Sequence, residues 1–310
     1  MKIDLKGKTA LVTGASYGLG AAFAEALAED GADLVLTART EPLLEEVAAR
    51  CRARGRKVTV VAGDVSVPED VSRVVATAVA SHDRIDVLVN NAGVADMRGL
   101  AAEQYDTETF SRIVQVDLFG AFFYLRDVGR QMLDQGSGSI VNICSIMADG
   151  ANELNVIAYT AAKGGLLNLT KQLGAEWADR GVRVNAVSPG FVVTDMTRPL
   201  FEAMGISQYV ASRTPMRRLG EVSEVVPPVL FLASDLSSYV TGVNLCVDGG
   251  TNACNGWWQV PPIHYDWNAD TGPMVGERYE GLMPRPDFLE QTRAGIPGLH
   301  YPMPEGPGPA

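Results

Sequence analysis

Short apolar runs alternate with longer stretches of helical periodicity along most of this chain. The apolar runs predict β-strands at residues 8–13, 34–37, 58–62, 87–89, 139–143, 182–187 and 243–247. The stretches between them predict helices at 18–30, from 42 onwards, and at 68–81, 107–134, 157–179 and 221–233. Pro227 and Pro228 should bend or shorten the last helix. Strands that are apolar on both faces and alternate with helices indicate an α/β fold, with a doubly wound, Rossmann-like parallel sheet.

The pattern changes after Thr251. Residues 251–310 hold ten of the 17 prolines and three of the four tryptophans, without helical or strand periodicity. Proline-rich tails are usually disordered, but disordered segments are poor in aromatic residues. We therefore expect one domain over residues 1–250 and an extended C-terminal arm over residues 251–310, packed on a protein surface.

Composition and charge limit the partners. A net charge of −11 repels phosphate backbones and anionic membranes, so neither nucleic acid nor membrane is expected as a partner. No apolar run approaches the length of a membrane-spanning helix, and the N-terminus lacks a signal-peptide core. The four cysteines form no close pairs and no histidine lies at zinc-ligand spacing, which predicts free thiols, no metal site and a cytoplasmic location.

A glycine-rich turn joins the first predicted strand to the first helix. Such a turn directs backbone N–H groups and the positive helix end towards a pyrophosphate. Gly14 and Gly18 permit the turn and the approach of phosphates, and Gly20 lets the helix pack closely on the sheet. An ordinary glycine-rich turn is the alternative, but the strand–turn–helix context favours a nucleotide site. The predicted contacts are Gly14, Ser16, Tyr17, Gly18, Leu19 and Gly20.

Two further strand ends should face the same nucleotide. Asp64 and Val65 follow the third strand, where a carboxylate can accept the adenine amino hydrogens or simply begin a helix. Asn91, Ala92 and Gly93 follow the fourth strand, at the edge where doubly wound sheets bind their ligands.

Arg39 follows the second strand, where an NAD site usually has an acid for the ribose hydroxyls. A guanidinium suits the 2′-phosphate, so NADP is favoured over NAD as the cofactor. An arginine that is solvated and stacks on adenine would leave the preference open. Tyr17 weakens the case for NADP, because a second basic residue there would strengthen it.

Tyr159 and Lys163 are four residues apart in a predicted helix, which places them on one face. A buried cation beside a phenol favours the phenolate, so the pKa of Tyr159 is expected to fall from about 10 towards the working pH. Ser145 ends the fifth strand, and its hydroxyl can hold a substrate oxygen. A surface Tyr–Lys pair is the alternative, but the serine makes the set more specific.

Together these motifs resemble those of the short-chain dehydrogenase/reductase family, in its shorter single-domain branch. The resemblance spans about residues 5–250 in the family's order and does not extend into the arm. The matching residues are Thr13 to Gly20, Asp64, Asn90 to Gly93, Ser145, Tyr159 to Lys163, Pro189, Gly190, Thr194 and Asp248 to Gly250.

The resemblance implies an NAD(P)-dependent oxidoreductase that interconverts a secondary alcohol and a ketone. Tyr159 would transfer the proton, Ser145 would hold the reacting oxygen, and Lys163 would bind the nicotinamide ribose and lower the pKa of the tyrosine. Thr194 would contact the nicotinamide carboxamide. The other implied cofactor contacts are Asn91, Pro189 and Gly190.

Asp117 departs from the family pattern. The family usually carries Asn in a Val-Asn-Leu run on the long helix, and that Asn helps to hold a water in the proton relay to the lysine. Here the run is Val116-Asp117-Leu118. A carboxylate accepts hydrogen bonds but donates none through an amide, so we expect a working relay with altered pH dependence. A purely structural role for Asp117 is the alternative.

The substrate pocket is the least determined part of the site. The family places it around residues 146–157, 94–100 and 191–219. Polar residues such as Asp149 and Asn155 favour a sugar or polyol, or else form a solvated rim. Met147, Asn155 and Phe191 are the candidate substrate contacts.

Other functions remain open. A 3-oxoacyl-thioester reductase would need a basic docking patch for an acidic carrier, which the net charge does not indicate. A nucleotide-binding regulatory protein with a vestigial site is favoured only by Asp117. Sugar-nucleotide epimerases share the Tyr–Lys pair, but usually have a different glycine spacing and a larger C-terminal domain.

Assembly is expected to involve the arm. Members of this branch commonly form homotetramers and end soon after Asp-Gly-Gly. The additional residues 251–310 are rich in aromatic side chains, so we expect them to cross a subunit boundary and cover a neighbour's face or the mouth of its active site.

Overall fold

The computed structural model describes residues 3–96, 100–150, 156–194, 197–198, 201 and 207–254, and the backbone of 265–268 and 272–275. Contacts divide the chain into two compact units, Met1–Gly256 and Trp257–Ala310. None of the described helices is long and apolar enough to cross a membrane.

Seven parallel strands form the central sheet of the first unit. The described strands of this unit, seven in the sheet and two outside it, are β1 Thr9–Thr13, β2 Asp33–Ala38, β3 Val58–Ala62, β4 Val87–Asn90, β5 Gly138–Ile143, β6 Val182–Pro189, β7 Val192–Val193, β8 Gly220–Glu221 and β9 Asn244–Val247. The sheet has the order β3-β2-β1-β4-β5-β6-β9, and β7 pairs separately with β8. This confirms the predicted doubly wound sheet. Connections leave in opposite directions from β1 and β4, which opens a crevice at their carboxyl ends.

Helices cover both faces of this sheet. They are α1 Gly18–Glu29, α2 Glu41–Arg52, α3 Pro68–His82, α4 Thr107–Val114, α5 Ala121–Gln135, α6 Ile157–Glu176, α7 Ser207–Arg213 and α8 Val222–Ala233. One buried apolar cluster packs α1, α2 and α8 against the sheet, and a second packs α3, α5 and α6 against its other face. Both faces of the strands are therefore buried from solvent, which explains their continuous apolar runs.

The long helix predicted at 107–134 is not regular. A π-helical segment, Gln115–Gly120, lies between α4 and α5 and buries Asp117 and Gly120. A β-carbon at Gly120 would lie 2.9 Å from the Val65 carbonyl oxygen, so this turn approaches neighbouring backbone closely. π-Helical turns inside α-helices are frequent at functional sites.

The expected shortening of the helix at 221–233 is not observed. α8 runs through Pro227 and Pro228, although neither proline has an N–H to donate. A capping box between Glu221 and Glu224 satisfies its first turn. Its buried face packs on α1 and β5, and this burial outweighs the lost hydrogen bonds.

The second unit contains a two-stranded antiparallel ribbon, β10 Tyr265–Asn268 paired with β11 Gly272–Val275. The sequence of residues 251–310 has no strand periodicity, so no strand is expected in the arm, and the ribbon shows that this expectation is wrong. Alternation of aromatic and polar residues is confined to four positions, which is too short a pattern to predict a strand among prolines.

Candidate active site

The glycine-rich turn between β1 and α1 has the backbone geometry that the sequence predicts. Gly14 and Gly18 have φ values of +64° and +58°, in the left-handed region that favours glycine. A β-carbon on Gly20 would lie only 2.1 Å from the Gly14 carbonyl oxygen. The turn therefore folds tightly onto the start of α1, with its backbone exposed to the crevice.

Thr13 and Asn91 join this turn to the end of β4. The Thr13 hydroxyl accepts hydrogen bonds from the backbone N–H groups of Asn91 and Ala92, at 2.9 and 3.0 Å. The Asn91 side-chain amide donates to the carbonyls of Thr13 and Gly14, at 3.0 and 3.2 Å. These bonds fix the two loops on either side of the crevice relative to each other.

A cavity of about 560 Å³ runs along the carboxyl edge of the sheet. Its volume is within the range of small-molecule sites. The structure brings nearly all the predicted site residues to this cavity. Those that line it are Gly14, Ser16, Tyr17, Gly18, Leu19, Gly20, Arg39, Asp64, Val65, Asn91, Ala92, Gly93, Ser145, Met147, Tyr159, Lys163, Pro189, Gly190, Phe191 and Thr194.

Two predicted residues are not among the lining. Asn155 lies outside the described residues. Asp117 is buried behind the lining, against Lys163.

Asp64 and Arg39 line the end of the cavity near β2 and β3. One Asp64 carboxylate oxygen accepts hydrogen bonds from the backbone N–H and the hydroxyl of Ser66, so this acid also stabilises the turn before α3. Both sequence interpretations of Asp64 are thus compatible with its position. Arg39 and Tyr17 are exposed at the rim.

Ser145, Tyr159 and Lys163 meet at the other end of the cavity. Ser145 and Tyr159 both line this end of the cavity, and the Ser145 hydroxyl acts to lower the pKa of the Tyr159 phenol. Lys163 is 3% exposed, and its ammonium lies 5.5 Å from the centre of the Tyr159 ring. Lys163 Nζ donates to the Ile143 carbonyl at the end of β5, at 3.0 Å. Helical spacing on α6 and the end of β5 therefore bring the predicted triad together.

The predicted lowering of the pKa of Tyr159 is wrong in its net direction. Burial raises the pKa of this phenol, because the phenolate loses its hydration. Lys163 acts in the opposite direction, as predicted, but is outweighed, and the nearby Asp117 carboxylate raises the pKa further. The proximity of the Lys163 ammonium alone is not sufficient to predict whether the pKa of Tyr159 rises or falls.

Asp117 contacts the triad through Lys163. Its Oδ1 accepts a hydrogen bond of 2.7 Å from the Val94 N–H, and its Oδ2 lies 3.4 Å from Lys163 Nζ. Burial raises the pKa of Asp117, whereas the Lys163 ammonium and the Val94 amide act to lower it. The sequence predicted a role in the relay, but not this direct ion pair.

The wall beside the triad hydroxyls is apolar in the described part of the chain. Ile146, Met147 and Val156 form a buried cluster with Tyr159 and Phe191 packed against it. Of the polar residues predicted to face a substrate, Asp149 is exposed and does not line the cavity, and Asn155 lies outside the described residues.

Several supporting residues were missed from the sequence. The buried amide of Asn142 accepts from Asn90 and donates to Thr170 on α6, at 3.1 and 2.9 Å. Thr197 donates to the Val192 carbonyl and bonds to Thr194, which fixes the loop after β6. Asn142 sits in an otherwise apolar strand, and this polar interruption is the signal that could have identified it.

The comparison with protein families gives one match over most of the chain. A family model described as enoyl-(acyl carrier protein) reductase matches residues 14–252. The match includes the glycine turn, the triad and Asp248 to Gly250, and it ends at residue 252, two residues before the described part of the first unit ends.

Two curated relatives are similar over almost their whole length. Gluconate 5-dehydrogenase of Gluconobacter oxydans is 36% identical over 247 residues, which is 80% of this chain and 95% of the relative. A 3-oxoacyl-[acyl-carrier-protein] reductase of Synechocystis is 38% identical over 250 residues, which is 79% of this chain and 97% of the relative.

A solved structure shares the fold. The gluconate 5-dehydrogenase of Burkholderia cenocepacia, in complex with NADP and tartrate, superposes with a TM-score of 0.77 at 34% identity. The superposition covers 81% of this chain and 98% of that protein.

Proposed function

Since the chain belongs to the short-chain dehydrogenase/reductase family, we propose that it interconverts a secondary alcohol and a ketone on a polyhydroxylated substrate, with Tyr159, Ser145 and Lys163 as its catalytic residues. One observation carries this proposal. The three side chains meet at one end of the cavity whose other end is the glycine turn. A dinucleotide extended along the cavity would thus end beside the triad hydroxyls.

In the oxidation direction, Tyr159 Oη accepts the proton of the substrate hydroxyl while Ser145 donates a hydrogen bond to the same oxygen. In the reduction direction, Tyr159 donates its proton to the carbonyl oxygen as the alcohol forms. Lys163 stabilises the phenolate in both directions. When bound, the nicotinamide supplies the chemistry that these residues lack, because it takes a hydride from the carbinol carbon or gives one to the carbonyl carbon.

The cavity fits a nicotinamide dinucleotide. Gly18 lines it with no other heavy atom near the position of a β-carbon, so its backbone is open to a phosphate. Gly14 and Asn91 hold the turn that presents these amides, and the positive end of α1 faces the same space. Thr194 and Lys163 line the opposite end, where the nicotinamide and its ribose would be held.

We infer a preference for NADP over NAD. Arg39 lies at the cavity rim directly after β2, and Ser16 and Tyr17 line the same cavity. A guanidinium there can bind the 2′-phosphate with two hydrogen bonds, whereas it offers little to two ribose hydroxyls. The NADP complex of a 34% identical gluconate 5-dehydrogenase supports the same preference.

A sugar acid or polyol is the proposed substrate class. The support comes from the gluconate 5-dehydrogenases among the similar proteins. The apolar cluster of Ile146, Met147 and Val156 would then pack on the carbon–hydrogen faces of the substrate. The hydroxyls of the substrate would point to the other side of the pocket.

A 3-oxoacyl-thioester reductase is the second candidate. The family description and the 38% identical 3-oxoacyl-[acyl-carrier-protein] reductase favour it. The net charge of −11 disfavours docking of an acidic carrier, so we rank it second. The regulatory alternative ranks below both, because Ser145, Tyr159 and Lys163 meet at one end of the cavity. A cytoplasmic location is proposed on the four free cysteines.

Replacement of Tyr159 by Phe is expected to lower kcat about 10²- to 10⁴-fold, because the substrate oxygen loses its proton-transfer group. The measurement is nicotinamide absorbance with NADP or NAD, against sugar acids, polyols and their ketones, and a 3-oxoacyl thioester. Tyr239→Phe, at a fully exposed position, is the control and should leave turnover unchanged. Equal activity of the Tyr159→Phe variant and the wild type would refute the catalytic assignment. Faster turnover of the thioester than of any sugar acid would establish the second candidate.

Replacement of Arg39 by Ala is expected to lower kcat/KM for NADP about 10- to 100-fold and to change that for NAD far less, because only NADP loses a charged hydrogen-bond partner. Arg180→Ala provides a matched loss of charge at an exposed Arg180–Glu176 pair. A proportional loss with both cofactors would contradict the proposed 2′-phosphate contact.

We also propose a homotetramer in which the arm, residues 251–310, contacts a neighbouring subunit. Its aromatic content and its position at and beyond the end of the family match support this. Truncation after Thr251 should lower the tetramer fraction in analytical ultracentrifugation or change KM for the substrate. Unchanged mass and kinetics would exclude a role of the arm in either.

A further inference from the structure

Asp117 is a buried acid whose second oxygen has only an ionic neighbour. The residue is 0% exposed, and its Oδ1 is occupied by the Val94 N–H. Within the described residues, Oδ2 has no hydrogen-bond partner and faces Lys163 Nζ at 3.4 Å. A buried carboxylate without compensation is strongly unfavourable, so this ammonium is what allows Asp117 to be charged.

The geometry leaves little freedom around the pair. A β-carbon on Gly93 would lie 2.8 Å from Asp117 Oδ2 and 3.3 Å from Lys163 Nζ. The loop after β4 is therefore closed over both groups. On the other side, Lys163 Nζ is tied to the Ile143 carbonyl. The ammonium is held between the carboxylate of Asp117 and the ring of Tyr159.

The charges around Tyr159 can then be summed. The described titratable groups that face it are Lys163 and Asp117, together with the Cys144 thiol. Burial raises the pKa of Cys144 to about 11, so this thiol is neutral at physiological pH. Lys163 brings one positive charge to the cluster, and Asp117, when ionised against it, brings one negative charge. With an amide in place of Asp117, the ammonium would act on the phenol unopposed.

We propose that Asp117 is a positioning residue that anchors the Lys163 ammonium and partly cancels its field at the Tyr159 hydroxyl, so that alcohol oxidation begins at a more alkaline pH than it would with Asn at this position. This inference rests on the proposed function of Tyr159. It goes beyond that function because it assigns an electrostatic role to Asp117, which departs from the family pattern.

The sign follows from the contacts. An anion near a phenol disfavours the phenolate, and Asp117 accordingly raises the pKa of Tyr159. Removing the carboxylate therefore lowers this pKa. Oxidation requires the phenolate, so its activity should begin at lower pH. Reduction requires the phenol, so its activity should decline at lower pH as well.

The test compares the wild type with Asp117→Asn, which keeps the shape and removes the charge. The acid limb of kcat/KM for oxidation and the alkaline limb for reduction should both move about one pH unit lower. At a pH below the wild-type midpoint, oxidation should be about tenfold faster. Asp127→Asn, which removes the same charge from a partly buried acid paired with Arg126, should leave both limbs in place.

A second readout needs no turnover. In protein with isotope-labelled tyrosine, the NMR signal that is missing in Tyr159→Phe belongs to Tyr159, and its titration reports the phenol directly. Its midpoint should fall by the same amount in Asp117→Asn, and unchanged midpoints and limbs would overturn the proposal. If Asp117→Asn does not fold, Asp117→Ser removes the charge and keeps an acceptor for the Val94 N–H. Absence of turnover with a shifted titration would count against the proposed function, but would leave standing the effect of the Asp117 charge on the Tyr159 phenol.

Discussion

The burial of one ammonium group organises the active end of this molecule. Lys163 is placed by α6 under the end of β5, where its charge has lost most of its hydration. Such a charge persists only if its surroundings compensate it, and the compensation comes from the Ile143 carbonyl, the Asp117 carboxylate and the π face of Tyr159. The irregular turn at Gln115–Gly120 carries the Asp117 side chain to this group, and Gly93 approaches both charges closely.

The nucleotide end of the cavity depends on hydrogen bonds that fix the backbone, and not on a buried charge. There the side chains matter less than the backbone, because Thr13 and Asn91 clamp the glycine turn to β4 and leave amides open to the crevice. A polar chain through Asn90, Asn142 and Thr170 continues from this clamp across the sheet to α6. Buried and mutually satisfied, these groups link the two ends of the cavity within one rigid sheet.

Much of the fold and of the candidate site could be predicted from the sequence. The features that could not be predicted share one physical cause. Apolar runs and helical periods gave the seven sheet strands, because burial on both faces leaves a strong signal. The triad and the glycine turn were predicted through local spacing. The net direction of the Tyr159 pKa, the Asp117–Lys163 contact and the π-helical turn were not, because each depends on groups that are distant in sequence and on the degree of burial.

Direct transfer of a labelled hydride tests the central claim most sharply. NADPH carrying deuterium on the transferable ring carbon would be incubated with the enzyme and a keto sugar acid, and the product analysed by mass spectrometry and NMR. The account predicts deuterium on the carbon that bears the new hydroxyl, and its loss with Tyr159→Phe. Binding of the cofactor without deuterium in any product, across sugar acids, polyol-derived ketones and thioesters, would contradict the assignment of this cavity as an oxidoreductase site.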